Sequence, residues 1–125
     1  MGKPLGMSDA TIEEAVQKVT SAWFHYFLRY DPVPVLRQVK SPVLAINGSK
    51  DLQVSARENL AAIRAALAAN GDVETVELPG LNHLFQTAKT GAASEYGEIE
   101  ETIAPSVLDL ISRWAAARSR LDAGP

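Results

Sequence analysis

One aspartate and one histidine, Asp51 and His83, stand just after two runs of strand-forming residues, Val43-Leu-Ala-Ile46 and Val73 to Leu78. A carboxylate hydrogen-bonded to one imidazole nitrogen fixes the tautomer of the ring and stabilises its protonated form. The other nitrogen is then left to act as a general base. The chemistry requires two groups far apart in sequence to meet. In open α/β sheets, functional loops gather outside the carboxyl ends of the strands. If the two runs are neighbouring parallel strands, the loops Gly48-Ser-Lys-Asp51 and Pro79-Gly-Leu-Asn-His83 leave the sheet at the same edge and the pair can form. On placement alone Asp51 also fits an ordinary turn-forming aspartate, and one loop histidine is weak evidence of catalysis.

Other chemistries are poorly served. With no cysteine in the chain, disulfides, thiolate nucleophiles and cysteine-bound zinc are excluded. His25, His83 and Asp51 do not have the spacing of a metal site, and no H-E-x-x-H pattern occurs, so no metal site is expected. His25 lies among Trp23, Phe24, Tyr26 and Phe27 and reads as a surface or packing histidine. Glu95, Glu98, Glu100 and Glu101 read as a solvated loop face. A net charge of −3, with twelve scattered Lys and Arg, argues against a nucleic-acid surface. No apolar run approaches the roughly 20 residues that span a bilayer, so no membrane association is expected. Residues Met1 to Met7 lack the pattern of a secretion signal, which makes a cytoplasmic location the default; a signal on an upstream portion stays open.

The elements that must position the pair follow from periodicity. A composition of 46% hydrophobic and 22% charged residues suits a globular domain, so packed elements are expected. Residues 1–7 read as a flexible start, 8–121 as a single α/β domain and 122–125 as a disordered tail. A helix is expected to begin near Ser8 or Thr11, and Thr11-x-x-Glu14 has capping-box spacing. Ile12, Val16, Val19, Trp23, Phe27 and Tyr30 continue from it as the stripe of one helix. Asp31-Pro-Val-Pro34 stops that helix, and a helical turn is expected from Val35 to Val39. Val43 to Ile46, with no polar alternation, suits a strand buried on both faces and ended by Asn47-Gly48. Ser55-x-x-Glu58 opens a second helix carrying Leu60, Ile63 and Leu67, which Asn70-Gly71 closes. Val73 to Leu78 alternates as a strand exposed on one face or at a sheet edge does. A long polar stretch from Gln86 to Thr102 precedes a last helix beginning near Pro105. Strand, helix and strand between Val43 and Leu78 make a βαβ unit, which is expected to be parallel and right-handed.

These motifs resemble a known family. Pro42-Val-Leu-Ala-Ile-Asn-Gly-Ser-Lys-Asp51 is similar to the penultimate strand and acid loop of α/β-hydrolases, and Leu78-Pro-Gly-Leu-Asn-His83-Leu-Phe85 to their last strand and histidine loop. Trp23 to Pro32 resembles the lead-in to that strand in bacterial esterases and peptidase-like members. The likeness extends over roughly Trp23 to Arg118 and implies a partial α/β-hydrolase fold. It further implies that Asp51 and His83 are the acid and histidine of a Ser-His-Asp triad acting on a small ester or acyl substrate, with no metal or organic cofactor needed. The family's order of serine, acid, histidine is followed for the last two members. No serine here stands in a G-x-S-x-G frame, so no nucleophile is assigned and the isolated chain is expected to be inactive. Two alternatives accompany this reading: a non-catalytic self-assembling module, and one half of a hydrolase complemented by a second chain that carries the serine. A homodimer is also expected. Val43 to Ile46 has one strand available to pair with in this chain, and an open apolar edge pairs readily with its own copy.

Overall fold

A computed structural model describes residues 8–119. The expectations of a flexible start over 1–7 and a disordered tail over 122–125 lie outside the described residues. The chain divides into two compact units, residues 1–32 and 33–125, and this boundary falls inside the stretch read as one domain.

The first unit holds two helices where the apolar stripe predicts one. Helix α1 (Asp9–Thr20) is capped by Ser8, whose hydroxyl accepts from the Thr11 backbone N–H at 3.2 Å. The cap therefore lies one turn before the Thr11-x-x-Glu14 box. The stripe breaks at Ser21, which is extended and caps helix α2 (Ala22–Arg29) by accepting from the Phe24 N–H at 3.1 Å. Hydroxyls at the break compete with the helix for its own carbonyls. Thr20 donates to Val16 O at 2.8 Å and Ser21 to Lys18 O at 2.7 Å. On α2, Trp23 stacks on Phe27 with ring centroids 5.5 Å apart, and both rings stay more than half exposed.

The second unit is mixed α/β, with helices flanking a two-stranded parallel sheet. A short helix α3 (Val33–Leu36) precedes strand β1 (Val43–Gly48), which pairs in parallel with β2 (Val73–Leu78). Strand β1 runs two residues past the apolar run. The Asn47-Gly48 pair predicted to end it is its most buried part, whereas Val43 to Ile46 are only half-buried. With one partner strand among the described residues, β1 cannot be covered as a central strand would be. Side chains alternate between faces. Asn47 and Thr75 bond to helix α4 (Ala56–Ala66) on one face, through Asn59 and Arg64. On the other face Ile46, Val76 and Leu78 join Leu81, Ala104 and Val107 in the core. Val107, with no exposed surface, belongs to helix α5 (Pro105–Ser119).

Two further expectations change. Ser55 precedes α4 but makes no capping bond through its side chain; it is exposed, and water can serve the first-turn donors there. The glutamates between Gln86 and Thr102 are not uniformly a solvated face. Glu95 accepts from the Thr90 and Gly91 N–H groups at 2.8 and 3.0 Å, and Glu101 accepts from the Thr87 N–H at 2.6 Å. Glu98 and Glu100 are exposed. A carboxylate within reach of unpaired loop N–H groups is held by them, because a charge-assisted bond outcompetes solvation. Among the described residues no helix is long and apolar enough to cross a membrane.

Candidate functional site

Both loops at the carboxyl edge of the sheet are joined by backbone bonds that continue the strand pairing. Ser49 N–H donates to Leu78 O and Lys50 N–H to Leu81 O, each at 2.9 Å, and Gly80 N–H donates to the Ser49 hydroxyl at 2.8 Å. The approach is close at Gly48, where an added Cβ would lie 2.2 Å from Leu81 O. Only glycine admits the histidine loop at this distance.

His83 rides on a tight reversal of the chain between Leu81 and Thr87. Asn82, with no exposed surface, forms its frame. The Asn82 Oδ1 accepts from the Leu84 and Gln86 N–H groups, and its Nδ2 donates to Gln86 Oε1, all at 2.9 Å. Gln86 in turn donates to Glu101 O at 2.9 Å, and Ala104 N–H to Phe85 O at 2.8 Å. These bonds hold Phe85 at φ 59°, a left-handed conformation costly for a bulky residue, and Phe85 packs against the core from there. Lys50 fastens the outgoing strand of the reversal by donating to Ala88 O at 2.7 Å and Lys89 O at 2.9 Å.

Asp51 and His83 meet as the sequence requires. His83 Nδ1 lies 2.9 Å from Asp51 Oδ2. The Asp51 side chain is 5% exposed and that of His83 38% exposed. Both carboxylate oxygens are fully engaged: Oδ1 accepts from the Gln53 and Val54 N–H groups at 2.9 Å each, and Oδ2 also accepts from Asn47 Nδ2 at 3.1 Å. Burial acts to raise the pKa of Asp51, but the bonds from His83 and from the Val54 and Gln53 amides outweigh it. Its pKa is held below the usual carboxylate value. An ionised carboxylate only accepts, so His83 donates through Nδ1–H and presents Nε2 as the basic nitrogen. That nitrogen makes no hydrogen bond among the described residues, and no serine hydroxyl is bonded to it there. The arrangement can take a proton at Nε2 and hold the resulting imidazolium against Asp51.

Sequence reasoning finds the pair but not what orients it. Asn47, Asn82 and Gln86 are buried amides, and their types suggest turns when read locally. Their one sequence signal is position, each lying within four residues of Asp51 or His83. His25 is exposed on α2, in the other unit. Three surface cavities, of about 540, 410 and 360 Å³, are lined by neither Asp51 nor His83. Among the described residues no three His, Asp or Glu side chains cluster as metal ligands would. Comparison of the chain with protein-family models, curated proteins and solved structures yields no match.

Proposed function

We propose that Asp51 and His83 are the acid and general base of a serine-hydrolase triad within a partial α/β-hydrolase fold. The observation that supports this is the 2.9 Å bond between His83 Nδ1 and Asp51 Oδ2, with Nε2 left open at the carboxyl edge of parallel strands. In the reaction, Nε2 takes the proton of an attacking serine hydroxyl, which no serine among the described residues supplies; a second chain carrying that serine is one way to complete the triad. His83 then gives that proton to the leaving alcohol, and the cycle repeats with water on the acyl-enzyme. Asp51 keeps the ring oriented and offsets its positive charge. The substrate class is a carboxylic ester or similar acyl compound. Alone, the chain is expected to hydrolyse p-nitrophenyl acetate only at the slow rate of exposed imidazoles, to lose the His83-dependent part of that rate in His83→Ala, and to take up no fluorophosphonate label. An unchanged rate in His83→Ala would remove His83 from the chemistry, and labelling of one serine in this chain would overturn the assignment of the nucleophile.

A second reading, self-association, is favoured by the free edge of β1. Among the described residues β1 pairs only with β2. Pro42, Val43, Leu44 and Ile46 at and before β1 form an open apolar groove with Ile111 and Trp114 of α5. Antiparallel pairing of two copies along the free edge would satisfy the backbone groups and cover the groove. Light scattering at micromolar concentration is expected to give the dimer mass, and a monomer mass excludes this reading.

A further inference from the structure

Behind Asp51 a chain of amides runs back into the sheet and ends on α4. Asn47, 5% exposed, stands on β1 with its Nδ2 facing two acceptors, Asp51 Oδ2 at 3.1 Å and Val54 O at 3.3 Å. Its Oδ1 accepts from Asn59 Nδ2 of α4 at 2.9 Å. The amide can lie only this way round. Reversed, it would set an oxygen against a carboxylate and a carbonyl, and a nitrogen against the Asn59 donor. The two amides therefore form a directed sequence of bonds, Asn59 to Asn47 to Asp51, arriving at the same Oδ2 that receives His83 Nδ1.

We infer that Asn47 is a positioning residue for the Asp51–His83 pair, with Asn59 acting behind it. The inference rests on the pair having the role proposed above. The backbone N–H groups of Gln53 and Val54 secure Oδ1. Rotation of the carboxylate about that anchor would still carry Oδ2 away from the imidazole, and the Asn47 amide resists this rotation. Since α4 holds Asn47 in turn, the sheet and the helix together set the direction in which Oδ2 presents its charge. With Asn47 buried and its amide bonded at both the nitrogen and the oxygen, such a chain transmits position from α4 to the carboxylate.

The test is the tautomer of neutral His83, read from the nitrogen chemical shifts of the ring in the full chain labelled with ¹⁵N. In the wild type the Nδ1–H form is expected to dominate. Asp51→Asn sets the baseline by removing the charged acceptor. In Asn47→Ala the ratio of Nδ1–H to Nε2–H forms is expected to fall by about tenfold, the effect of weakening one charge-assisted bond. Asn59→Ala is expected to fall between the wild type and Asn47→Ala, and it leaves β1 untouched should Asn47→Ala fail to fold. A lowered melting temperature with a wild-type tautomer ratio in Asn47→Ala, or in Asn59→Ala where only that variant folds, would make these residues merely structural and overturn the inference. An unchanged ratio in Asp51→Asn would overturn the pair and the inference together. Absence of any His83-dependent ester hydrolysis, with the tautomer responding as expected, counts against the hydrolase reading alone.

Discussion

Replacing Gly48 with alanine should damage the fold and the Asp51–His83 pair together. The new Cβ would stand 2.2 Å from Leu81 O and 2.7 Å from Asn82 O. Ordinary carbon–oxygen contacts are about 3.3 Å or longer, so the loop must withdraw by roughly 1 Å. Both contacts are backbone, and no rotamer change can relieve them. Withdrawal stretches the 2.9 Å bond from Lys50 N–H to Leu81 O and shifts the frame that Asn82 builds. Overpacking of this kind costs about 1–3 kcal/mol, and one or two weakened backbone bonds add about 1 kcal/mol each. A total of about 2–5 kcal/mol is large against the roughly 5–15 kcal/mol of a typical domain. In urea the unfolding midpoint should fall by roughly 1–3 M. The same 1 Å displacement two residues before His83 moves Nδ1 beyond hydrogen-bond range of Oδ2, so the His83-dependent hydrolysis of p-nitrophenyl acetate should fall with it. Gly71→Ala is the control: nothing lies within 4 Å of its added Cβ and its φ is ordinary. Stability of Gly48→Ala within about 0.5 kcal/mol of the wild type, the range of an ordinary surface change, would refute the close approach of the two loops.

Further outcomes follow from the same geometry. Asp51 has its pKa depressed in the folded state, so its contribution is fully present above the usual value of 3.8 and is lost as pH falls through the lower folded value. The stability gap between the wild type and Asp51→Ala should accordingly narrow from about pH 5 downward; a gap that stays constant in acid unfolding monitored by circular dichroism contradicts the pairing. Asn82→Ala leaves the buried Gln86 N–H and Oε1 and the part-buried Leu84 N–H without their partner, and should cost about 2–4 kcal/mol in urea unfolding. A cost below about 0.5 kcal/mol, typical of surface changes, would show that the reversal does not depend on Asn82. Trp114 has a buried Nε1 with no hydrogen-bond partner among the described residues, and its ring lies 4.1 Å from the Arg118 guanidinium. Trp114→Phe keeps an aromatic face and removes the orphan donor, so its stability should remain within about 1 kcal/mol of the wild type; a loss above about 3 kcal/mol would show that the indole nitrogen matters.

The strand and helix types, and their order from β1 to α5, were determined by the sequence itself, because apolar period and turn residues act over a few neighbouring positions. Asp51 and His83 were also identifiable there, since each directly follows a strand. Tertiary structure alone decided what Asn47 does. At the end of an apolar run an asparagine has the same local chemistry whether it starts a turn or donates to a buried carboxylate, and its partner Asn59 lies on another element. Glu95 and Glu101 differ from Glu98 and Glu100 only in which backbone N–H groups the folded loop brings to them. Gly48 could be a turn glycine in any sequence pattern; the carbonyl 2.2 Å from its absent Cβ belongs to a residue more than thirty positions away. Side-chain patterns report on covered faces, whereas the partner of a polar group is chosen by whichever distant donor or acceptor the packed elements leave beside it.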